Sequence, residues 1–282
     1  MSILEQTSSI TIQNIKVSFS EAGKGESVLC LHGNPGTKRI FSDIMTKIDG
    51  LNIRLVAPDR PGHNSSDELP PDKEELWGDT QIYSELIDKK LNHKAWILGY
   101  DYGCITAIKI AIKYPEKVKG LIFLNPLIEL NNPKESISNI PNQAKGAFMG
   151  TILGIFLPNK YYDIFGNMFN KMFAPEIVPE DFSELWLQRY TKFENIVAYL
   201  NDKNIQIKIL NELKEEMKKF SFPTFALIGG KDSYTDVEKQ KEAISLIPNS
   251  KIEISNEAGH YMPHLNPEIC AEFIKKNIIA VK

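Results

Sequence analysis

The stretch Ala95-Trp96-Ile97-Leu98-Gly99-Tyr100-Asp101-Tyr102-Gly103-Cys104-Ile105 decides how this chain folds. Ala95 to Leu98 is a short continuous apolar run, the pattern of a strand buried on both faces of a sheet. Ile105 to Tyr114 has helical spacing. Between them stands Gly-x-Asp-x-Gly, the form of a sharp strand-to-helix turn that lifts a nucleophile at its centre. The small flanking residues allow the bend. At the helix N-terminus, free N–H groups and the helix dipole favour an anion, so Asp101 is expected to be ionised. Taken alone, the pentapeptide reads more simply as a helix N-cap.

The same alternation extends in both directions. Continuous apolar runs recur at Val28 to Leu31, Leu55 to Ala57, Leu121 to Leu124 and Phe225 to Ile228, and Ile252 and Ile254 belong to a last strand. Ile10 to Ile12 and Ile15 to Phe19 alternate apolar and polar residues around Gln13-Asn14, which suits an antiparallel pair. Helical patterns lie at Ile82 to Leu91, at Ile105 to Tyr114 and from Pro267 to about Ile279. Strand and helix in alternation predict an α/β domain with a mostly parallel central sheet flanked by helices. Residues 127–219 break the alternation with aromatic-rich helical patterns interrupted by Pro133, Pro141, Pro158, Pro175 and Pro179. Leu210, Leu213, Met217 and Phe220 fall at helical spacing, with charged residues on the other faces. We therefore expect residues 1–126 and 220–282 to form the core, with 127–219 inserted as a helical cap over the carboxyl edge of the sheet, where such sheets bind ligands.

Composition narrows the function. The chain has 282 residues, of which 42% are hydrophobic, enough for a full core and against disorder. Its net charge is −3, without a basic tail or stripe, so a nucleic-acid role lacks its electrostatic footprint. Cys30, Cys104 and Cys270 are odd in number and far apart, and read as reduced thiols of a cytoplasmic protein. No signal peptide is visible at the N-terminus. The longest apolar run, 147–157, is too short to span a bilayer, which needs about 20 residues. The His residues are scattered and form no metal motif. No metal, no cofactor, no nucleic-acid partner and no membrane span are expected; a monomer or a homodimer is.

Three further elements point to chemistry. Asp232 sits in Gly229-Gly230-Lys231-Asp232, just after the Phe225 strand, and His260 sits in Glu257-Ala258-Gly259-His260, after the last strand. A catalytic His needs a carboxylate to fix its tautomer and hold the imidazolium. The plain alternatives are a helix cap for Asp232 and a turn residue for His260. Leu31-His32-Gly33-Asn34-Pro35-Gly36 follows the Val28 strand, and a glycine-rich turn there can aim backbone N–H groups at a developing anion. The N–H groups of Asn34 and Tyr102 are assigned to that oxyanion hole, and His32 is expected to brace the loop. Pro58-Asp59-Arg60-Pro61-Gly62-His63-Asn64-Ser65-Ser66 reads as a structural turn, with Asp59 a weak site candidate. Asn64 stands where glycine is usual, and Asn tolerates a left-handed backbone.

With these motifs in this order, the chain resembles the α/β-hydrolase superfamily over nearly its whole length, with chain order nucleophile, acid, histidine. The resemblance implies a catalytic triad of Asp101, Asp232 and His260. An Asp nucleophile is similar to that of epoxide hydrolases and of haloalkane or haloacetate dehalogenases. Such a carboxylate needs no base to activate it; it attacks carbon to form an alkyl-enzyme ester, which His-activated water then hydrolyses. Epoxide hydrolases use cap tyrosines as acids, which implies Tyr161, Tyr162 and Tyr199 as substrate-binding candidates. Dehalogenases resemble this chain at Asn34, but in both families Trp usually follows the nucleophile, where this chain has Tyr102. The stretches around Asp59 and after His260 look more like Ser-dependent ester or carbon–carbon bond hydrolases. The expectation is a cofactor-independent hydrolase of a small or medium apolar substrate, epoxide hydrolase-like. The alternatives are a dehalogenase and, from another class, a non-catalytic ligand binder on the same scaffold. The aromatic residues Phe148, Phe156, Phe165, Phe169, Phe173, Trp186 and Phe193 imply an apolar pocket lining among cap-core residues.

Overall fold

The computed structural model describes residues 8–48, 50–70, 77–128, 158–179, 202 and 209–281, with backbone alone at 158–165. Eight strands form one sheet: β1 (Ser8–Ile12), β2 (Ile15–Gly23), β3 (Glu26–Leu31), β4 (Ile53–Pro58), β5 (Ala95–Tyr100), β6 (Val118–Leu124), β7 (Thr224–Gly229) and β8 (Lys251–Ser255). Their order across the sheet is β1-β2-β4-β3-β5-β6-β7-β8. β2 runs antiparallel to both β1 and β4, and every pair from β4 to β8 is parallel. This is an α/β-hydrolase fold: the mostly parallel α/β architecture is what the alternation of runs predicted, and the specific fold is what the resemblance implied.

Each strand run lies where its sequence placed it. Gln13 and Asn14 both have positive φ, 51° and 65°, and join β1 to β2. Two left-handed residues make the tight hairpin turn whose twist matches its strands. The parallel strands read as continuous apolar runs because both faces are covered, and every residue of β5 and of β7 is buried. Period two then sorts their side chains into two layers. Leu29, Leu31, Ile97, Leu121 and Phe123 pack on one face. Val28, Cys30, Trp96, Leu98, Ile122 and Leu124 pack on the other.

Helices cover both layers. The first face carries α2 (Gly78–Lys90) and α3 (Gly103–Lys113), through Ile82, Leu86, Ile105 and Ile108. The second carries α1 (Ser42–Lys47), through Ile44, and two further helices. These are α4 (Pro158–Phe173), through Phe169, Met172 and Phe173, and the C-terminal helix Pro267–Ile279, through Cys270 and Ile274. The 209–217 helix lies within the expected cap. Its Leu210, Leu213 and Met217, with Phe220 after it, join the first core layer, while Glu212 and Glu215 are exposed. All three cysteines are free and buried. None of the helices among the described residues is long and apolar enough to cross a membrane.

The chain leaves β3 in one direction to reach β4 and crosses back over it to reach β5. That reversal opens a crevice at the carboxyl ends of β3 and β5, the place where open α/β sheets bind ligands. Asn34 follows β3 and Asp101 follows β5, so both fall at this crevice.

Candidate active site

Asp101 takes φ 52°, a left-handed conformation that costs a non-glycine residue about 1–3 kcal/mol. The surroundings hold it there. Its N–H donates to the Leu124 carbonyl at 3.1 Å, and its own carbonyl accepts from Cys104 N–H at 3.1 Å and from Leu127 N–H at 3.3 Å. A Cβ at Gly103 would collide with the Leu31 carbonyl, so the elbow closes on β3 only with glycine there. Asp101 is not the helix N-cap: Tyr102 holds that position, without a side-chain capping bond. The carboxylate is instead aimed across the crevice, where Oδ2 accepts from Asn34 N–H at 2.7 Å. Gly33 permits this approach, since a Cβ at that position would strike the Asp101 side chain.

His260 and Asp232 reach the same point from the ends of β8 and β7. His260 Nδ1–H donates to Asp232 Oδ2 at 2.8 Å, which fixes the tautomer and leaves the Nε2 lone pair facing Asp101 Oδ1 at 3.7 Å. All three side chains are buried. Asp232 does not cap the following helix (Val237–Ser245), whose N-cap is Asp236. Its Oδ1 accepts from Tyr234 N–H and Thr235 N–H at 2.8 Å each, and its Oδ2 also accepts from Thr235 Oγ1–H at 2.5 Å and Gln240 Nε2–H at 3.1 Å. Burial works to raise the Asp232 pKa, but the His260 charge and hydrogen bond, with the Thr235 bonds, hold it below its ordinary value. Burial likewise works to lower the His260 pKa, but the Asp232 charge and hydrogen bond, followed by the Asp101 charge, hold it above the ordinary 6.5.

That shift has a measurable sign. A step in which neutral His260 accepts a proton loses rate as pH falls through this raised pKa, so its acidic limb centres above pH 6.5. Asp232→Asn removes the raising charge and moves the limb to lower pH. A pH–rate profile of turnover in both proteins checks this, and a limb that stays put would detach Asp232 from His260 ionisation.

Residues without an obvious motif complete the frame. Asn125, just after β6, donates from Nδ2 to the carbonyls of Gly259 (2.9 Å) and His260 (2.7 Å), while its Oδ1 accepts from Gly229 N–H at 2.7 Å. One amide thus ties the end of β7 to the His260 loop. Thr235 and Gln240 do the same for Asp232. Their only sequence signal was position, directly after a strand or inside the first turns beyond the Asp232 loop. Tyr100 and Tyr234 place their rings 5.5 and 4.7 Å from the imidazole.

His32 braces the loop as expected: Nδ1–H donates to the Gly33 carbonyl and Nε2 accepts from Arg60 N–H, each at 2.9 Å. Burial, then the Arg60 charge, hold it well below its ordinary pKa and therefore neutral. Asn64 has φ 50°, the left-handed backbone expected of it. Asp59 requires a correction. It is not a site residue but the partner of Lys38, whose Nζ lies 2.5 Å from its Oδ2 with both side chains buried. Asn64 Nδ2 and Lys38 N–H donate to it as well. Asp59→Asn would leave the Lys38 charge buried without its counter-charge and should cost about 3–5 kcal/mol of stability, read by chemical denaturation.

Tyr102 is 1% exposed, with the Arg60 guanidinium 4.8 Å above its ring. Tyr161 and Tyr162 lie on α4, with side chains outside the described residues. Tyr199 is outside them altogether, as are Phe148, Phe156, Trp186 and Phe193 and the side chain of Phe165. Phe169 and Phe173 are core residues, and Phe173 stacks on Tyr261 at 4.6 Å. Among the described residues no group of three side chains is placed to hold a metal ion.

The model of the alpha/beta hydrolase fold family matches residues 26–267 of this chain. The chain belongs to that family. Lipase 3 of Moraxella sp. (strain TA144) is 24% identical to it over 245 residues, which cover 84% of this chain and 72% of the lipase. A 2-hydroxy-6-oxo-6-phenylhexa-2,4-dienoate hydrolase of Comamonas testosteroni is 29% identical over 119 residues, 41% of each protein, so the match spans less than half of that relative. Among solved structures, epoxide hydrolase VrEH1 of Vigna radiata aligns with a TM-score of 0.74 at 17% identity, over 98% of both chains, a likeness of fold alone. Family and named relatives together support a hydrolase. They leave the role of Asp101, and the substrate, to the chemistry of the crevice.

Proposed function

We propose that this α/β-hydrolase-family protein hydrolyses a small or medium apolar epoxide through an ester on Asp101, without a cofactor. One observation carries the reading: the two carboxylate oxygens of Asp101 are differentiated. Oδ2 is held by Asn34 N–H, and Oδ1 faces a histidine nitrogen that has no hydrogen-bond partner among the described residues.

In the first step Asp101 Oδ1 attacks an epoxide carbon. The carbon–oxygen bond breaks, and the released oxygen takes a proton from a phenol, assigned to Tyr161, Tyr162 or Tyr199. In the second, His260 Nε2 takes a proton from water as its oxygen adds to Asp101 Cγ. Negative charge collects on Oδ2, against the N–H groups assigned to Asn34 and Tyr102. Collapse expels the diol oxygen, which takes the proton back from His260 and leaves Asp101 as the carboxylic acid; loss of its proton to solvent restores the carboxylate. Solvent reprotonates the phenol. Asp232 stays ionised and holds the imidazolium.

Epoxide is preferred to alkyl halide because a departing halide needs an N–H donor beside the nucleophile. The corresponding side chain here is Tyr102, packed beneath Arg60. The test is a single turnover in heavy-oxygen water with enzyme in excess over styrene oxide, and a parallel arm with 1-bromohexane. An unlabelled first-turnover diol and heavy oxygen in the Asp101 peptide are expected. Label appearing directly in the diol would overturn the ester. Turnover of bromohexane alone would make the protein a dehalogenase. Binding of styrene oxide with no turnover of either compound would favour a ligand binder on this scaffold.

A further inference from the structure

We propose that Arg60 is a positioning residue for the oxyanion-holding N–H groups, and that Asp202 of the inserted segment locks it in place. This rests on the Asp101-ester reading above. Arg60 follows β4 and is 3% exposed. Its Nη2 donates to the Gly33 carbonyl at 3.2 Å. The Gly33 carbonyl and the Asn34 N–H belong to a single peptide unit, which is planar and stiff. A donor fixed on its oxygen therefore fixes where its N–H points, and at the other end that N–H meets Asp101 Oδ2 at 2.7 Å. His32 Nδ1–H grips the same carbonyl, and Arg60 N–H in turn orients His32. The guanidinium also lies over the ring of Tyr102, which carries the second assigned N–H group. Arg60 thus reaches the residue before one donor and the side chain of the other.

Asp202 holds the far side of the guanidinium. Its Oδ1 and Oδ2 accept from Nη1 at 3.2 Å and Nη2 at 2.5 Å, and His63 Nε2 lies 3.4 Å from the same carboxylate. Burial works to raise the Asp202 pKa, but the Arg60 charge and the His63 bond hold it far below the carboxylate range, so the pair stays charged. A buried ion pair adds little net stability by itself. This one spends a remaining guanidinium donor on the peptide that bears the site's N–H.

The chemistry makes the role separable from folding. During ester formation, charge leaves Asp101 Oδ2, and a well-aimed N–H gives no rate advantage. During ester hydrolysis, charge returns to Oδ2, and only a well-aimed N–H accelerates the step. Arg60→Lys keeps the charge for Asp202 but cannot also serve Gly33 and Tyr102, and Asp202→Asn keeps the shape while loosening the fork. In single-turnover measurements with styrene oxide, both variants should hydrolyse the ester about tenfold more slowly while forming it within about twofold of the parent rate. Ester would then accumulate, and kcat and KM would fall together. Equal slowing of both steps, or of neither, would overturn the proposal. Amide hydrogen exchange of the peptide containing Asn34 gives a second readout, expected to quicken in both folded variants. If His260→Gln forms no adduct with styrene oxide, the ester reading fails and this exchange decides alone: unchanged protection at Asn34 overturns the positioning role. If Arg60→Lys does not fold, Asp202→Asn carries both readouts.

Discussion

With His260→Gln, the protein should gain the full mass of styrene oxide on the Asp101 peptide, to one equivalent, while turnover falls by about 10³–10⁴-fold. The asymmetry follows from what each oxygen of Asp101 touches. Attack by Oδ1 needs only an ionised carboxylate, and Oδ2 keeps its Asn34 N–H whatever stands at position 260. Hydrolysis needs a base beside Cγ, and the nitrogen facing Asp101 at 3.7 Å is His260 Nε2. Gln can fill the space and offer hydrogen bonds, but it takes no proton at neutral pH. Intact-protein mass spectrometry followed by peptide mapping reads the result. An adduct equal to a haloalkane without its halide, in the parallel arm, would identify dehalogenation. A folded variant that shows neither adduct would count against an ester altogether.

Asp101→Asn carries the larger loss, about 10⁴–10⁶-fold in turnover, with no adduct in any background. An amide is a poor nucleophile toward carbon, while its oxygen can still accept from Asn34 N–H and its NH₂ group can face His260 Nε2. The left-handed elbow tolerates Asn well, because Asn is among the residues that adopt that conformation most readily. The fold should therefore survive, and circular dichroism would separate lost chemistry from lost structure. Deamidation back to Asp restores activity slowly, so peptide mapping must accompany the assay. Undiminished turnover in protein shown to carry Asn would remove Asp101 from the nucleophile's role and leave His260 as a base acting on the substrate itself.

Much of this fold is legible in the sequence. The strand runs were readable because a strand covered on both faces has a continuous apolar sequence, and the hairpin because alternating apolar and polar runs flank Gln13-Asn14; that both of these residues take positive φ is visible only in the structure. Asp101, Asp232 and His260 stood out as site candidates because each sits within a few residues of a strand end, in a short glycine-bearing motif, and the parallel sheet gathers all such ends at one edge. Asp59 was misjudged for a related reason. It too follows a strand, but whether a buried carboxylate meets substrate or a lysine depends on what packs over it, and here Lys38 does.

Sequence by itself therefore determined the sheet, its layers, the elbow and the chain order of the acid, base and nucleophile candidates, because these rest on local periodicity and on residues with special backbone freedom. Tertiary structure alone decided which oxygen of Asp101 meets the Asn34 N–H and which faces His260, that Asn125 ties the His260 loop to β7, and that Arg60 joins Asp202 to the peptide of Gly33 and Asn34. Arg60 and Asp202 stand 142 positions apart. Pairing at that separation leaves no periodic trace in a chain; it exists only once folding has brought two charges into one dry space, where each requires the other.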